Sequence, residues 1–252
     1  MLHQDGSRHH WIPGGVDLAL DLIVTLDDAT GAIYSAFLVE EEGTFSSLRG
    51  LAEVFAAHGL PCSLYTDRGS HYFFTPNAGE KVDPRALTQI GRALAQLGIE
   101  HIAAYSPQAR GRSERVFRTL QDRLPKELAL AGVADLAAAN RFIAETFLPD
   151  YNGRFAIAAV EPGTAFVPVA RTQWQDVLCV QEERIVKNDN TIAFQGLRLQ
   201  IPQSRLRAHF VKAKVRVHQY LDGTHAIFHG PKCLARYHAN GEMIEETVKW
   251  AA

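Results

Sequence analysis

Apolar residues recur along this chain with two periods, and the switches between them mark out its elements. Leu18 to Leu26 is a nearly continuous apolar run, Asp27-Asp28-Ala29-Thr30-Gly31 turns the chain, and Ala32 to Val39 is apolar again, which predicts two strands joined by a turn. After Gly43-Thr44, the residues Leu48, Leu51, Val54 and Phe55 repeat at helical spacing until Gly59 and Pro61 stop them. Cys62 to Thr66 is a short strand leading into Asp67, and residues 68 to 84, with Gly69, Pro76, Gly79 and Pro84, read as a loop. Leu87 to Leu97 is helical, Gly98 ends it, and Ile99 to Tyr105 is a further strand. Ser106-Pro107 opens a long helix from about Ala109 to Leu130, whose inward stripe is Phe117, Leu120, Leu124 and Leu128 and whose blemish is Pro125. One more helix, from about Asp135 to Leu148, leads to Asp150-Tyr151-Asn152. Hairpin, helix, strand, helix, strand, helix is the order of a mixed sheet flanked by helices.

The pattern then changes. Residues 156 to 180, with Pro162, Gly163 and Pro168, have few periodic apolar positions and read as a connector. After Arg184 come short strands separated by Asn188-Asp189-Asn190 and Asp222-Gly223 turns, which predict a small antiparallel β-barrel. The expected layout is an α/β core over residues 1–155, a linker over 156–180, a β-barrel domain over 181–240 and a tail over 241–252.

Composition narrows the function classes. The 252 residues are 46% hydrophobic and 21% charged, ordinary for a globular chain. No apolar run approaches the roughly 18 residues of a membrane helix, and the first residues lack a secretory pattern. Three scattered cysteines, Cys62, Cys179 and Cys233, fit neither a disulfide framework nor a zinc knuckle and read as reduced core thiols. A cytoplasmic protein without a membrane partner is expected. The net charge of −2 is unevenly spread: residues 181–252 hold 11 Lys+Arg and 7 Asp+Glu, leaving 26 − 11 = 15 basic and 28 − 7 = 21 acidic residues before them. Arg198, Arg205, Arg207, Lys212, Lys214 and Arg216 follow one another with no acid between them. Such a basic stretch points weakly to a polyanion.

Three carboxylates carry the chemical question. Asp5 and Asp67 sit at predicted strand ends, and Glu114 opens the long helix, a set that could gather divalent ions for phosphodiester chemistry. Each has a plainer reading when taken singly. Asp67 suits a turn, and Glu114 suits a helix N-terminus. Asp5 competes with Asp17, Asp21, Asp27 and Asp28. The turn explains Asp27 and Asp28, Asp21 is the serious rival, and spacing does not choose. The inward stripe of the long helix, extended back one turn, reaches Glu114, where a buried carboxylate needs a partner or a metal. No Gly-x-Ser-x-Gly, Gly-x-Gly-x-x-Gly, phosphate-loop or His-x-x-x-His pattern offers another chemistry.

The string Ser106-Pro107-Gln108-Ala109-Arg110-Gly111-Arg112-Ser113-Glu114-Arg115, ending in Thr119-Leu120-Gln121-Asp122-Arg123-Leu124, resembles the catalytic-core signature of DDE-class insertion-sequence transposases, the ISNCY group in particular. Tyr65-Thr66-Asp67-Arg68-Gly69-Ser70 resembles the second-acid motif of that family, and Asp5-Gly6-Ser7 with Trp11 the first. The likeness runs through the Leu22 to Thr30 hairpin and Asp150-Tyr151-Asn152 into Val186 to Arg236, nearly the whole chain. It implies an RNase H-like core of the retroviral-integrase type followed by a small barrel. It also implies that Asp5, rather than Asp21, joins Asp67 and Glu114 as catalytic metal ligands. Two Mg²⁺ ions, about 3.5–4 Å apart in such sites and replaceable by Mn²⁺, would serve DNA end cleavage and strand transfer. Arg68, Arg110, Arg112, Arg115, Arg118, Lys212, Lys214 and Arg216 are the expected DNA contacts. A homo-oligomer assembled on element ends and target DNA is implied too.

The resemblance also sets departures. Such proteins begin with helix-turn-helix regions and none precedes Asp5, so a fragment or mis-started frame is expected. Only Met1 to Gln4 precede the acid, so a clipped first strand holding Asp5 loosely is expected as well. The rival reading is a non-catalytic DNA-binding or regulatory remnant. An RNA-cleaving nuclease would need contacts to the 2′-hydroxyl, to which no sequence feature points.

Overall fold

The first apolar run becomes the interior of a sheet. In the computed structural model, which describes residues 1–14, 18–76, 80–83, 85–105, 107–203 and 207–244 (backbone alone for 107–113), strand β2 (Leu20–Asp27) is buried along seven of its eight positions. It can be apolar on both faces because both faces are covered. Leu20, Leu22, Val24 and Leu26 share one core with Phe117, Leu120, Leu124 and Leu128 of helix α3 (Pro107–Leu130). Ile23 and Thr25 point the other way, towards helix α1 (Thr44–His58), which buries Leu48, Leu51, Val54 and Phe55. Burying each large aliphatic side chain contributes about 1.5–3 kcal/mol, so the stripe read from spacing is what fixes α3 to the sheet.

The sheet has the order β3-β2-β1-β4-β5. Strands β1 (Leu2–His9), β2 and β3 (Ile33–Val39) form an antiparallel meander. Strands β4 (Ser63–Thr66) and β5 (Glu100–Ala103) add in parallel beyond β1. That mixed sheet with flanking helices is the RNase H-like arrangement that the resemblance implied. Helix α2 (Gln89–Gln96) starts at Thr88, whose hydroxyl accepts from the Gly91 N–H. Pro125 stays inside α3 without ending it.

The second edge of the long helical region differs in detail from the periodicity. Instead of one helix there are α4 (Leu136–Phe142), a π-helical turn at Ile143–Phe147, and α5 (Leu148–Phe155). Two asparagines explain the motif at 150–152 and its partner upstream. Asn140 accepts from the Leu38 N–H and donates to its carbonyl, at 2.7 and 3.0 Å; Asn152 does the same for Ile33, at 2.8 and 2.8 Å. Their amides cover the backbone of the edge strand β3, which would otherwise be open to pairing with another chain. A four-residue helix α6 (Arg171–Trp174) places Trp174 edge-on against Phe55.

The chain divides into two units, Met1–Val177 and Leu178–Ala252. In the second, β6 (Val180–Ile185), β9 (Lys214–Gln219), β10 (His225–His229) and β11 (Lys232–Tyr237) form an antiparallel sheet, and β7 (Thr191–Phe194) pairs with β8 (Leu197–Gln200). The two sheets bury a common core that includes Val186, Ile192, Phe194, Leu199, Val217 and Ile227. The expected antiparallel unit is present, as two sheets rather than one closed cylinder among the described residues. Of the cysteines only Cys179 is buried, so the reading of three core thiols is corrected: Cys62 is exposed and Cys233 half-buried. Among the described residues no helix is long and apolar enough to cross a membrane.

Candidate active site

Where two parallel strands part, a cleft opens between them. Pairing of β1 with β4 covers Leu2↔Leu64 and His3↔Tyr65, the last two with rings 4.8 Å apart. Asp5 lies two residues beyond His3, and Asp67 two beyond Tyr65. Strand alternation therefore gives the acids the same face. They line one narrow cleft together with His3, Gln4, Tyr65, Thr66 and Ala104. Each carboxylate is steadied by the glycine that follows it. Asp5 Oδ1 accepts from the Gly6 N–H at 3.0 Å, and Asp67 Oδ1 from the Gly69 N–H at 2.7 Å. Both are half-buried.

The clipped-strand expectation is corrected here. Asp5 sits mid-strand: β1 runs on to His9 and pairs with β2 at each of its residues, Asp5 opposite Val24. Pairing of the residues on both sides of the acid holds it in the sheet. Asp67 stands just past the end of β4 as read, and it does form the turn that its plainer reading required. Asp21 is accounted for by structure alone. It is buried, and its Oδ2 accepts from the Glu42 N–H at 2.8 Å and from Arg8 Nη1 at 3.4 Å. Asp17 lies outside the described residues.

Glu114 requires two corrections. The helix begins at Pro107, so this acid stands about two turns inside it rather than opening it. It is also exposed. Along the described part of the stripe burial begins at Phe117, with half-buried Val116 packed against the same core. The helix runs along β1. Gln121 Nε2 donates to Ser7 Oγ at 3.0 Å, and Arg115 and Val116 lie beside Leu26, Asp27 and Asp28 near the start of that strand. Glu114 precedes Gln121 by almost two full turns and so shares its helix face. Among the described residues no three His, Cys, Asp or Glu side chains are gathered closely enough to hold an ion between them.

Of the expected DNA contacts, Arg68, Arg115 and Arg118 are exposed. Arg68 donates to the Glu80 carbonyl at 3.2 Å and lies over the Tyr105 ring at 5.2 Å. The side chains of Arg110 and Arg112 fall outside the described residues, as does Arg205. In the second unit Lys212 and Lys214 are exposed, while Arg216 is half-buried and donates to Gln181 Oε1 at 3.3 Å. A roomier cavity of 530 Å³ lies at the opposite end of β1, lined by Met1, Leu2, Tyr34 and residues 159–166. Its Asp27 is already engaged by the Thr30 N–H and hydroxyl, so volume alone does not mark the chemistry.

Sequence reasoning missed what supports the acids from the other face of the sheet. Gln4 and Tyr72 are buried there, 1% exposed each. The Tyr72 hydroxyl donates to Gln4 Oε1 at 3.1 Å and accepts from Ser47 Oγ at 3.1 Å. Burial pushes the Tyr72 phenol well above its ordinary range, and Glu42, Asp5 and Asp67 push the same way, so it remains a neutral donor. Only the glycines after the two acids gave a legible hint. A Cβ at Gly6 would collide with the Glu42 carboxylate, and one at Gly69 would come within 3.0 Å of both Asp67 Oδ1 and the His71 ring.

Comparisons with known proteins agree with the motifs. No protein-family model matches the chain. A Sinorhizobium fredii protein named as transposase y4bF is 36% identical over 221 residues, which is 87% of this chain and 48% of that protein. The transposase for insertion sequence IS1202 of Streptococcus pneumoniae is 31% identical over 229 residues, 88% of this chain and 47% of that protein. Among solved structures, the HTLV-2 integrase catalytic core domain in complex with magnesium (dimeric form) is 16% identical at a TM-score of 0.43, covering 63% of this chain and 88% of that one. The simian T-cell lymphotropic virus intasome in complex with PP2A regulatory subunit B56 gamma gives 15% and 0.45, covering 99% of this chain and 79% of that one. Both scores lie under 0.5, so the fold assignment rests on the strand order itself. The chain is a relative of the DDE-class insertion-sequence transposases, and it spans about half the length of the curated proteins it matches.

Proposed function

We propose that this chain is the catalytic part of a DNA transposase, and that Asp5, Asp67 and Glu114 hold divalent metal for cleavage at element ends and strand transfer into target DNA. One observation carries the reading: two carboxylates remote in sequence face a single cleft where β1 and β4 diverge. An all-carboxylate donor set fits Mg²⁺, two ions of it by the family likeness, with Mn²⁺ able to replace it. Bound there, such ions would supply Lewis acidity to a phosphodiester and to the hydroxyl that attacks it. The chain's own residues do the rest. Gly6 and Gly69 N–H groups orient the two aspartates, Arg68, Arg115 and Arg118 offer positive charge beside the cleft and along α3, and Lys212, Lys214 and Arg216 offer positive charge within the second unit. Backbone phosphates are the natural partners of such side chains. Assembly as a homo-oligomer on paired DNA ends, in the cytoplasm, belongs to the same reading.

The exposed position of Glu114 favours a second reading, a DNA-binding or regulatory remnant without cleavage activity. Nicking of a plasmid carrying the DNA that flanks the coding sequence separates the two. In full-length protein, Asp67→Asn and Glu114→Gln each abolish Mg²⁺-dependent nicking while DNA binding persists. Nicking that survives Asp67→Asn defeats the proposal, and nicking that survives Glu114→Gln alone removes that residue from the ligand set.

A further inference from the structure

Asp5 lies in β1 and Asp67 just past the end of β4, and the pairing of those two strands stops before either acid is reached. Something other than the ladder has to set their separation. A path of hydrogen bonds and short stretches of chain joins them by way of the opposite face. Asp67 Oδ1 accepts from the Gly69 N–H at 2.7 Å, and the Gly69 carbonyl accepts from the N–H groups of Tyr72 and Phe73, at 2.9 Å each. The Tyr72 hydroxyl then donates to Gln4 Oε1 at 3.1 Å, and Gln4 immediately precedes Asp5.

Both ends of this path are locked. Gln4 Nε2 donates to Thr25 Oγ1 at 3.0 Å and to the Ser47 carbonyl at 3.1 Å. The Tyr72 carbonyl accepts from Thr88 Oγ1 at 2.8 Å, where α2 begins. Helix α1 makes room for the amide with Gly50, where a Cβ would stand 2.6 Å from Gln4 Nε2. A buried network with its donors and acceptors matched holds its members to one geometry. A plain core position at 72 would be served by phenylalanine; the hydroxyl is explained only by what it joins.

We propose that Tyr72, through Gln4, is the positioning residue that fixes the spacing of Asp5 and Asp67. This rests on the reading of those two acids as metal ligands. The Tyr72 hydroxyl bonds Gln4 and Ser47 and acts through the turn at 67–72 and the backbone of β1. Groups that orient metal ligands from behind typically change metal affinity by about 10–100-fold when removed.

The test is Mn²⁺ binding to the 252-residue chain, read by electron paramagnetic resonance beside thermal melting, with no DNA and no turnover required. Tyr72→Phe keeps the ring and is expected to weaken Mn²⁺ binding about tenfold with little change in the melting temperature. Asp67→Asn is measured alongside as the reference. If Asp67→Asn weakens binding and Tyr72→Phe does not, the positioning role is overturned and the metal site stands. If Asp67→Asn leaves binding intact, the metal site and the positioning role both fall. Should Tyr72→Phe fail to fold, Ser47→Ala withdraws one hydrogen bond from the same hydroxyl, and a Mn²⁺ affinity unchanged by it overturns the role.

Discussion

Residues near the cleft are set by what surrounds them more than by their own type. His101, on β5, shows this. Its ring stacks on Phe73 at 4.0 Å, its Nε2 lies 3.0 Å from Thr66 Oγ1, and burial lowers its pKa from 6.5 to about 4. The folded protein therefore refuses a proton that the unfolded chain accepts between those two values. Stability is full above pH 6.5, falls as pH drops towards 4, and is level below that as far as this group is concerned. The slope within the window is at most about 1.4 kcal/mol per pH unit. Urea unfolding at pH 7 and pH 5 should show the loss in the wild type and a smaller one in His101→Gln; equal losses would show that another group is responsible. Nothing in the sequence around His101 predicted this. A histidine in an apolar strand reads the same whether it faces solvent or an aromatic ring.

Elements followed periodicity where burial is continuous and departed from it where tertiary contacts intervene. The stripe of α3 was legible because Leu120, Leu124 and Leu128 all face one core. Extending that stripe back one turn wrongly made Glu114 a buried position. The helical run at 135–148 hid a π-helical turn, since a one-residue change in hydrogen bonding leaves little trace in apolar spacing. Helix α1 gives a sharper case. Alanine is the better helix former at Gly50 by about 1 kcal/mol, yet its Cβ would press on Gln4 Nε2 at 2.6 Å and on Thr25 Oγ1 at 3.1 Å. Overpacking of this kind costs about 1–3 kcal/mol, and the displaced amide is pinned by two hydrogen bonds. Gly50→Ala should accordingly destabilise by about 1 kcal/mol in chemical denaturation. A gain in stability would mean that Gln4 yields freely, and would weaken the role given to Tyr72.

At the scale of the molecule, charge is divided between units rather than spread. The second unit carries exposed Lys214 with Arg216 on a common face of β9, since buried Val215 and Val217 alternate with them, and exposed Lys212 in the turn just before that strand. If all three meet phosphates, replacing them by glutamine should make the slope of log affinity against log salt shallower by up to about 2.7. Binding of duplex DNA measured between low and moderate salt checks this, and an unchanged slope would take the second unit out of the DNA-binding surface. The overall net charge of −2 conceals this local excess of basic residues completely. Position along the chain revealed it.

By itself the sequence determined most of the elements and their order, because apolar period and turn residues are local properties, while the acids were proposed from the resemblance carried by the strings around Asp5, Asp67 and Glu114. Tertiary structure alone decided that Asp5 and Asp67 share a cleft, that Glu114 is exposed, and that Gln4 and Tyr72 lock together behind them. Those facts depend on strand register and on which face each side chain takes. Register is a relation between segments remote in the chain, and a one-residue slip would send every side chain of β1 to the other face.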